Sequence, residues 1–523
     1  LLNKLKRGPL LGAGGAVALL VLGYFALPSL MAQRVAASLS SASGLAFASH
    51  SSHFEFSPPG LVLEQASLTN KAGQVLIDAE TLHLPFSALG SIVGTPIAFE
   101  NAGIHGYAID GREHFSVAKI YGSATLNADG SLNATGTGDV GLLHVGVEAS
   151  ILSLARVLSE GSPADFNLSS KAVKAGYSGR LKLSDGFDLA GTMNLETTDT
   201  QGFLTSLGAN LPVIQQDWPL NFTAALETKD DALAFSNIEA RLGGMKALGN
   251  ASYSTPGGRP KLTLDLGMDV VDLSLFGLGT PATAGAWREK SFDLAGLDSL
   301  DAVWRISSNG LRYGKFQAGP GEFDGSLNNR ILDAGYTTKV AQDFSGHFTF
   351  NGQGFLPAFD MSLNAQNLDG KSALTGFTGF AWLDGKASVS AKLSTSGESP
   401  ASMVSRLAGT VDVSLSQAQV SGVEAQSLLQ SAAANPVDGW NGGTTTGVDA
   451  QATLTFSDGI GKIDPGSFKT SSLSVTASGD VDLLRQALEL KVTPSVAAGA
   501  KPASSIIISG PWAAPKFLPD KSP

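Results

Sequence analysis

The sequence predicts a mainly β protein, with one transmembrane helix at its N-terminus followed by a long antiparallel body that holds few, short helices. Three observations carry this. Leu10 to Leu27 is an uncharged apolar run. Beyond it, apolar residues alternate with polar ones at period two in segment after segment. Asp-Gly and Asn-Gly pairs punctuate those segments along the body.

As a helix at ~1.5 Å per residue the apolar run spans ~27 Å, enough for the hydrocarbon core of a bilayer. Its anchoring residues are Leu10, Leu19, Leu20, Leu22, Tyr24 and Phe25. Lys4, Lys6 and Arg7 precede it and only Arg34 follows closely, which places the N-terminus in the cytosol and the body on the far side. A cleaved signal peptide is the rival reading, but the run exceeds the usual apolar core of about 7–15 residues and Leu30-Met31-Ala32 is a poor cleavage site.

Pro28 to Ser43 reads as a short amphipathic helix closed by Gly44. From there the period is two: Leu61 and Leu63, Leu262 to Leu266, Phe348 and Phe350, Val411, Val413 and Leu415, Leu473 and Val475, Leu488 and Leu490. Strands of this kind have one apolar and one wet face. The Asp-Gly pairs at Asp129, Asp324, Asp384 and Asp458 and the Asn-Gly pairs at Asn309, Asn351 and Asn441 accept the positive φ of tight hairpins, so a meander is expected. Ala149–Glu160, Ala401–Leu407 and Val423–Ala434 read as helical. Ile506 to Ile508 reads as a strand buried on both faces, Trp440 and Trp512 as caps on a sheet end, and Gly346 as a point where a sheet bends.

Composition removes several functions. With 35 basic and 46 acidic residues the chain lacks the basic face a nucleic-acid partner requires. It has no Cys, so thiol catalysis and Cys-based metal sites are out. His50 and His53 have no second pair to complete a metal site, no G-x-S-x-G occurs, and carboxylate pairs such as Asp230 and Asp231 point to no reaction. The expectation is a non-enzyme without cofactors. Taking the three basic flank residues from the 35 leaves 32 against 46 acids, a net charge of −14 for the body. Such a body holds lipid by its tails rather than attracting it by its heads.

Several blocks in the second half carry a resemblance. They are Leu294-Ala-Gly-Leu-Asp-Ser-Leu-Asp301 with Leu311-Arg-Tyr-Gly, Leu407-Ala-Gly409 with Val420-Ser-Gly-Val, Phe456-Ser-Asp458-Gly with Gly479-Asp-Val-Asp482-Leu, and Gly510-Pro-Trp512 closing on Pro519-Asp520. In this order, behind an anchor, they resemble the AsmA family of bacterial envelope proteins. The resemblance implies a single-pass inner-membrane protein with its body in the periplasm. It also implies a curved β-sheet with an apolar groove, linked to outer-membrane assembly and phospholipid movement. The chain then divides into a cytosolic stub (1–9), the anchor (10–27), an N-terminal periplasmic β region (28–290) and an AsmA-like C-terminal region (291–520).

A half-polar sheet of this length must close into a sandwich, take helices onto its apolar face, or fill that face with acyl chains. Few helices are available, so Leu61, Leu63, Val411, Val413, Leu415, Leu473, Val475, Leu488 and Leu490 are the expected groove-facing residues. About 20–25 strands at ~4.8 Å give a groove of roughly 95–120 Å. The expected partners are phospholipid and the inner membrane. The alternative is a tethered scaffold that binds outer-membrane assembly proteins by strand addition at an open sheet edge.

Overall fold

The structure, a computed structural model, describes residues 27–41, 44–70, 72–89, 91–107, 113–140, 142–157, 159–183, 188–206, 218–229, 232–272, 287–292, 294–298, 300–313, 316–338, 344–371, 383–494 and 504–520. Leu10, Leu19, Leu20, Leu22, Tyr24 and Phe25 lie outside these residues. No helix among the described residues is long and apolar enough to cross a membrane. The described chain is mainly β, antiparallel with few helices, and divides into two compact units, one ending at Gly243 and one beginning at Gly244.

The first unit opens with helix α1 (27–41), whose Ala32 and Val35, three residues apart, turn inward. Gly44 ends it at φ 72°, its N–H donating to the Ser40 carbonyl at 2.9 Å, as the sequence predicts. Strands β1 (Ala46–Ala48) and β2 (Ser51–Phe56) share one edge of β3 (Pro59–Thr69). A meander of sequential antiparallel neighbours follows. It comprises β4 (Val75–Pro85), β5 (Ile97–Tyr107), β6 (Glu113–Leu126), β7 (Leu132–Val140), β8 (Leu143–Ile151), β9 (Ser162–Ser169), β10 (Val173–Lys182), β11 (Asp188–Thr197), β12 (Leu220–Lys229) and β13 (Ala232–Leu242). Two short helices interrupt it, α2 (Leu154–Val157) and α3 (Thr200–Ser206). The expected helix over Ala149–Glu160 is thus confined to one turn, because Ala149 and Ile151 are taken into the β8–β9 ladder.

The second unit begins with the hairpin of β14 (Met245–Ser254) and β15 (Lys261–Met268). Strand β15 continues into β16 (Val271–Asp272) and pairs in parallel with β17 (Asp301–Ser308). With β18 (Leu311–Tyr313) and β19 (Phe316–Ala318), β16 makes a separate three-stranded sheet. The main ladder runs on antiparallel from β17 through β20 (Gly321–Asn328), β21 (Ile331–Thr338), β22 (Phe344–Asn351), β23 (Ala358–Asp369) and β24 (Leu383–Ser396). Helix α4 (Pro400–Val404) leads into β25 (Ala408–Ser421), which pairs with β24. Helix α5 (Ala425–Ala434) and the two-residue β26 (Val437–Asp438) separate β25 from its next partner, β27 (Thr444–Ser457). Strands β28 (Ile460–Lys469), β29 (Ser474–Asp482), β30 (Ala487–Pro494), β31 (Ile506–Pro511) and β32 (Lys516–Pro519) complete the sheet. The helices expected over Ala401–Leu407 and Val423–Ala434 are present with slightly shorter bounds.

Three turn expectations are corrected. Asp324-Gly325 lies inside β20, because an added Cβ on Gly325 would overlap the Trp304 indole across the ladder. Asp384-Gly385 forms a register shift within β24. Asn309-Gly310 does not close a hairpin but carries the chain from β17 into the small sheet. Asp129-Gly130 and Asp458-Gly459 are tight turns, with φ of 83° at Gly130 and 75° at Gly459.

Polar residues rather than Gly346 mark where the strands bend. Register breaks occur beside Asn101, Lys119, Asn237, Asn367 and Gln417, each at a φ between 49° and 56° and each exposed. A bulge bends its strand and tightens the local twist, and here the residue at each break takes the left-handed conformation. Gly346 has no positive φ, and a methyl group there would meet Leu363 at an ordinary 3.6 Å.

Candidate functional site

Ladder register sets same-face residues of neighbouring strands opposite one another, so alternation within strands becomes rows across them. In the second unit one row runs Leu266, Ile306, Phe323, Tyr336, Gly346, Leu363, Ala391, Val411, Leu454, Ile463, Gly479, Leu490, Ile508, Phe517. Beside it run Trp304, Gly325, Ala334, Phe348, Met361, Leu393, Gly409, Phe456, Gly461, Val481 and Leu488. Neither row holds a charge. The first unit has its own row, Leu63, Leu82, Phe99, Gly122, Gly136, Val147, Leu168, Ala175, Leu195, Phe222 and Ala240.

Cover on this face is partial. In the first unit α1 and the short turn Phe86–Leu89 bury Leu61, Leu63 and Leu84 completely. In the second, the small sheet sets Val271, Leu311 and Phe316 against Tyr336, Phe344 and Ala365. Helix α5 sets Leu428 and Ala432 against Val475, Val492, Ile506 and Phe517. Further buried clusters lie at Val157, Ala164, Leu181 and Leu226 in the first unit and at Leu383, Ala418 and Val448 in the second; elsewhere the face is half-buried, and β15 and β25 alternate exposed and half-buried residues along most of their length.

The expected groove-facing residues therefore fall into two groups. Leu61, Leu63 and Val475 are core, beneath α1 and α5. Val411, Val413, Leu415, Leu473, Leu488 and Leu490 are half-buried, Leu415 and Leu473 packing against neighbouring core clusters. Periodicity assigns all nine to the apolar side of a strand but carries no information about what lies above it. The rings that dominate β17 to β23 are not among the nine, although Phe348 and Phe350 carry the same period; Trp304 and Phe323 sit 5.8 Å apart and Phe348 and Phe359 6.0 Å apart. Their spacing of two was the available signal.

The other face is polar. His53, His83, His105, His144 and His347 each face a carboxylate across the ladder, His144 to Asp139 at 3.0 Å and His347 to Asp333 at 3.1 Å. These are washed, paired side chains, and no cluster of three or more metal-ligating groups occurs among the described residues. Two shallow depressions of about 320 and 340 Å³ are lined by His347, Asp360, Ser362, Lys392 and Ser394, and by Gly161, Asp165, Ser178 and Arg180, with their neighbours. On the apolar side, burial pushes the Tyr336 hydroxyl up to about 12, and it donates to the Gly319 carbonyl at 2.6 Å.

The outer edges are short. Strand β32 has four residues, and its outer side takes the two of β26. There the Trp440 indole donates to the Trp512 carbonyl at 3.1 Å and meets the Phe517 ring edge-on at 5.4 Å. On the outer side of β3, the Phe47 N–H of β1 donates to the Ser40 hydroxyl at 3.1 Å. Brief, capped edges resist added strands.

No family model, curated protein or solved structure matches the chain.

Proposed function

We propose that the protein is an envelope-biogenesis factor anchored in the inner membrane through Leu10–Leu27, whose periplasmic body holds phospholipid by its acyl chains on the apolar sheet face. One observation carries the reading: rows of apolar, uncharged side chains cross many strands and are only partly buried between their covers. Apolar surface left in water costs about 25 cal/mol per Å², and an acyl chain gains about 0.8 kcal/mol for each CH2 it buries there. The resemblance to the AsmA family points the same way, and the capped edges favour the face over strand addition to outer-membrane precursors.

Native mass spectrometry of the full chain in a mild detergent tests it. Retained adducts with phospholipid masses are expected. A chain consistently free of phospholipid across detergents overturns the reading. An intact mass that includes residues 1–27 checks the anchor.

A further inference from the structure

We propose that the end of the first unit at which α1 begins is a membrane-docking rim, and that the bilayer it lies on is the one entered by the apolar run Leu10–Leu27. This rests on the anchoring part of the reading above and adds a second contact with the same membrane.

The path of α1 fixes which end that is. Its last turn is held at the far end of β3, where the Ser40 hydroxyl accepts from the Phe47 N–H and Phe47 stands opposite Leu68. Further back, Ala32 and Val35 pack among Leu61, Leu84, Ala88, Ile92 and Leu126. These lie where β3 begins and where β4 and β6 end. The helix therefore runs back along β3, and Leu27 stands at the end formed by the β2–β3, β4–β5 and β6–β7 connections. No spacer separates the apolar run from α1, because Leu27 belongs to both.

That end is apolar and carries few charges. Ten large apolar side chains of the first unit are exposed among the described residues, and six of them stand here: Leu27, Leu30, Phe56, Phe86, Val93 and Leu152. Phe56 is 70% exposed at the tip of the β2–β3 hairpin and Leu30 is 57% exposed on α1. Exposed apolar residues scattered singly are ordinary, whereas a group of them on one surface marks a contact. The chain holds no charge from Leu84 to Phe99 or from Phe56 to Leu63. Between β2 and β8 the charged side chains at this end are Arg34 on α1, Glu55, which faces His83 at 4.0 Å, Asp129, whose carboxylate accepts from Ser131, and Arg156, paired with Glu160 at 3.2 Å.

The tether decides the occupant. Whatever covers the rim must lie between the body and the membrane from which α1 emerges, and the first thing there is the bilayer surface. Phe and Leu side chains settle about 5–10 Å into the boundary between headgroups and acyl chains. A rim without a basic cluster on an acidic chain is held there by its apolar side chains and not by charge. A tether without a spacer keeps the rim at a high effective concentration beside the lipid, so a modest burial suffices.

The chain has no cysteine, so single labels are clean. Full-length Phe56→Cys, Val93→Cys and Leu142→Cys are labelled with a fluorophore and reconstituted into nanodiscs of phosphatidylethanolamine and phosphatidylglycerol whose acyl chains carry a nitroxide near the headgroup. Leu142, 86% exposed in the β7–β8 turn at the opposite end, is the control. Quenching is expected to be severalfold stronger at 56 and 93 than at 142. Adding Leu30→Asp and Phe56→Asp, both at exposed positions, to the Val93→Cys chain is expected to lower quenching at 93 to the level at 142 with an unchanged circular dichroism spectrum. Quenching that is equal at the three sites, or that survives the two carboxylates, overturns the rim and leaves the anchor standing. A doubled mass in detergent, with 56 and 93 shielded from a soluble quencher, assigns the rim to a second copy and also overturns it. A chain that does not enter the nanodiscs overturns the anchor and the rim together.

Discussion

Gly409 of β25 lies opposite Leu393 of β24 with a φ of 129°, and an added Cβ there would overlap the Lys392 carbonyl oxygen. Two constraints therefore coincide at a site that forms part of the apolar row. Gly409→Ala is expected to destabilise the protein by at least about 1 kcal/mol, since only glycine adopts this backbone without strain. Gly346→Ala, with negative φ and room for a methyl, is expected to stay within about 1 kcal/mol of wild type. Paired urea titrations decide it, and equal midpoints for the two variants would refute the distinction.

Val413 and Val475 sit on the same face but under different conditions. Val413 is half-exposed, while Val475 is 5% exposed beneath α5. Val413→Asp is expected to leave the fold intact and strip bound phospholipid. Val475→Asp places a carboxylate in a dry cluster, at a cost of roughly 2–5 kcal/mol. Circular dichroism melts beside phospholipid counts read both outcomes. Unfolding by Val413→Asp would mean a dry core there.

Acid should loosen α5. Glu424 caps the helix, its carboxylate accepting from the Ser427 N–H at 2.8 Å and the Gln426 N–H at 3.3 Å. Hydrogen bonding to Ser427, first of all, holds its pKa below the ordinary 4.5. Because the folded value is depressed, the stabilisation is complete above about pH 4.5 and fades as pH falls through the folded pKa. Protection factors of the amides across Ser427–Ala434, that is, exchange corrected for the intrinsic rate at each pH, should therefore fall in acid. Glu424→Gln should flatten that dependence, and an identical acid profile in the variant would show that the cap is not responsible.

The small sheet is pinned by charge. Arg312 donates through Nε at 2.7 Å and through its terminal nitrogen at 2.6 Å to the Asp272 carboxylate, and Asp272 is 6% exposed. Asp272→Ala leaves a half-exposed guanidinium unpaired and should cost about 1–3 kcal/mol. A thermal melt reads it. Protease access to the β16–β18 region should rise, and unchanged access would assign the pair no structural role.

Much of the fold was legible because strand residues obey a local rule. Val411, Val413 and Leu415 announce their common face by spacing alone, and Gly44 announces the end of α1. Turn chemistry was legible only where glycine serves a turn. At Gly325 it serves the Trp304 ring, brought opposite by pairing between residues 21 apart in the sequence. The bulges at Asn367 and Gln417 carry no motif, because polar residues in the left-handed region look like any other wet-face residue.

The sequence by itself determined the uncharged apolar run from Leu10 to Leu27, the alternation that makes one side of each strand apolar, and an excess of acidic over basic residues. Only tertiary structure decided which part of that side is covered. Leu63 and Val413 have the same chemistry and the same period. One is sealed by α1 and the other is left half-buried. Burial depends on which element folds back over a residue, and that contact is set by register and chain path rather than by the residue's own neighbours in the sequence.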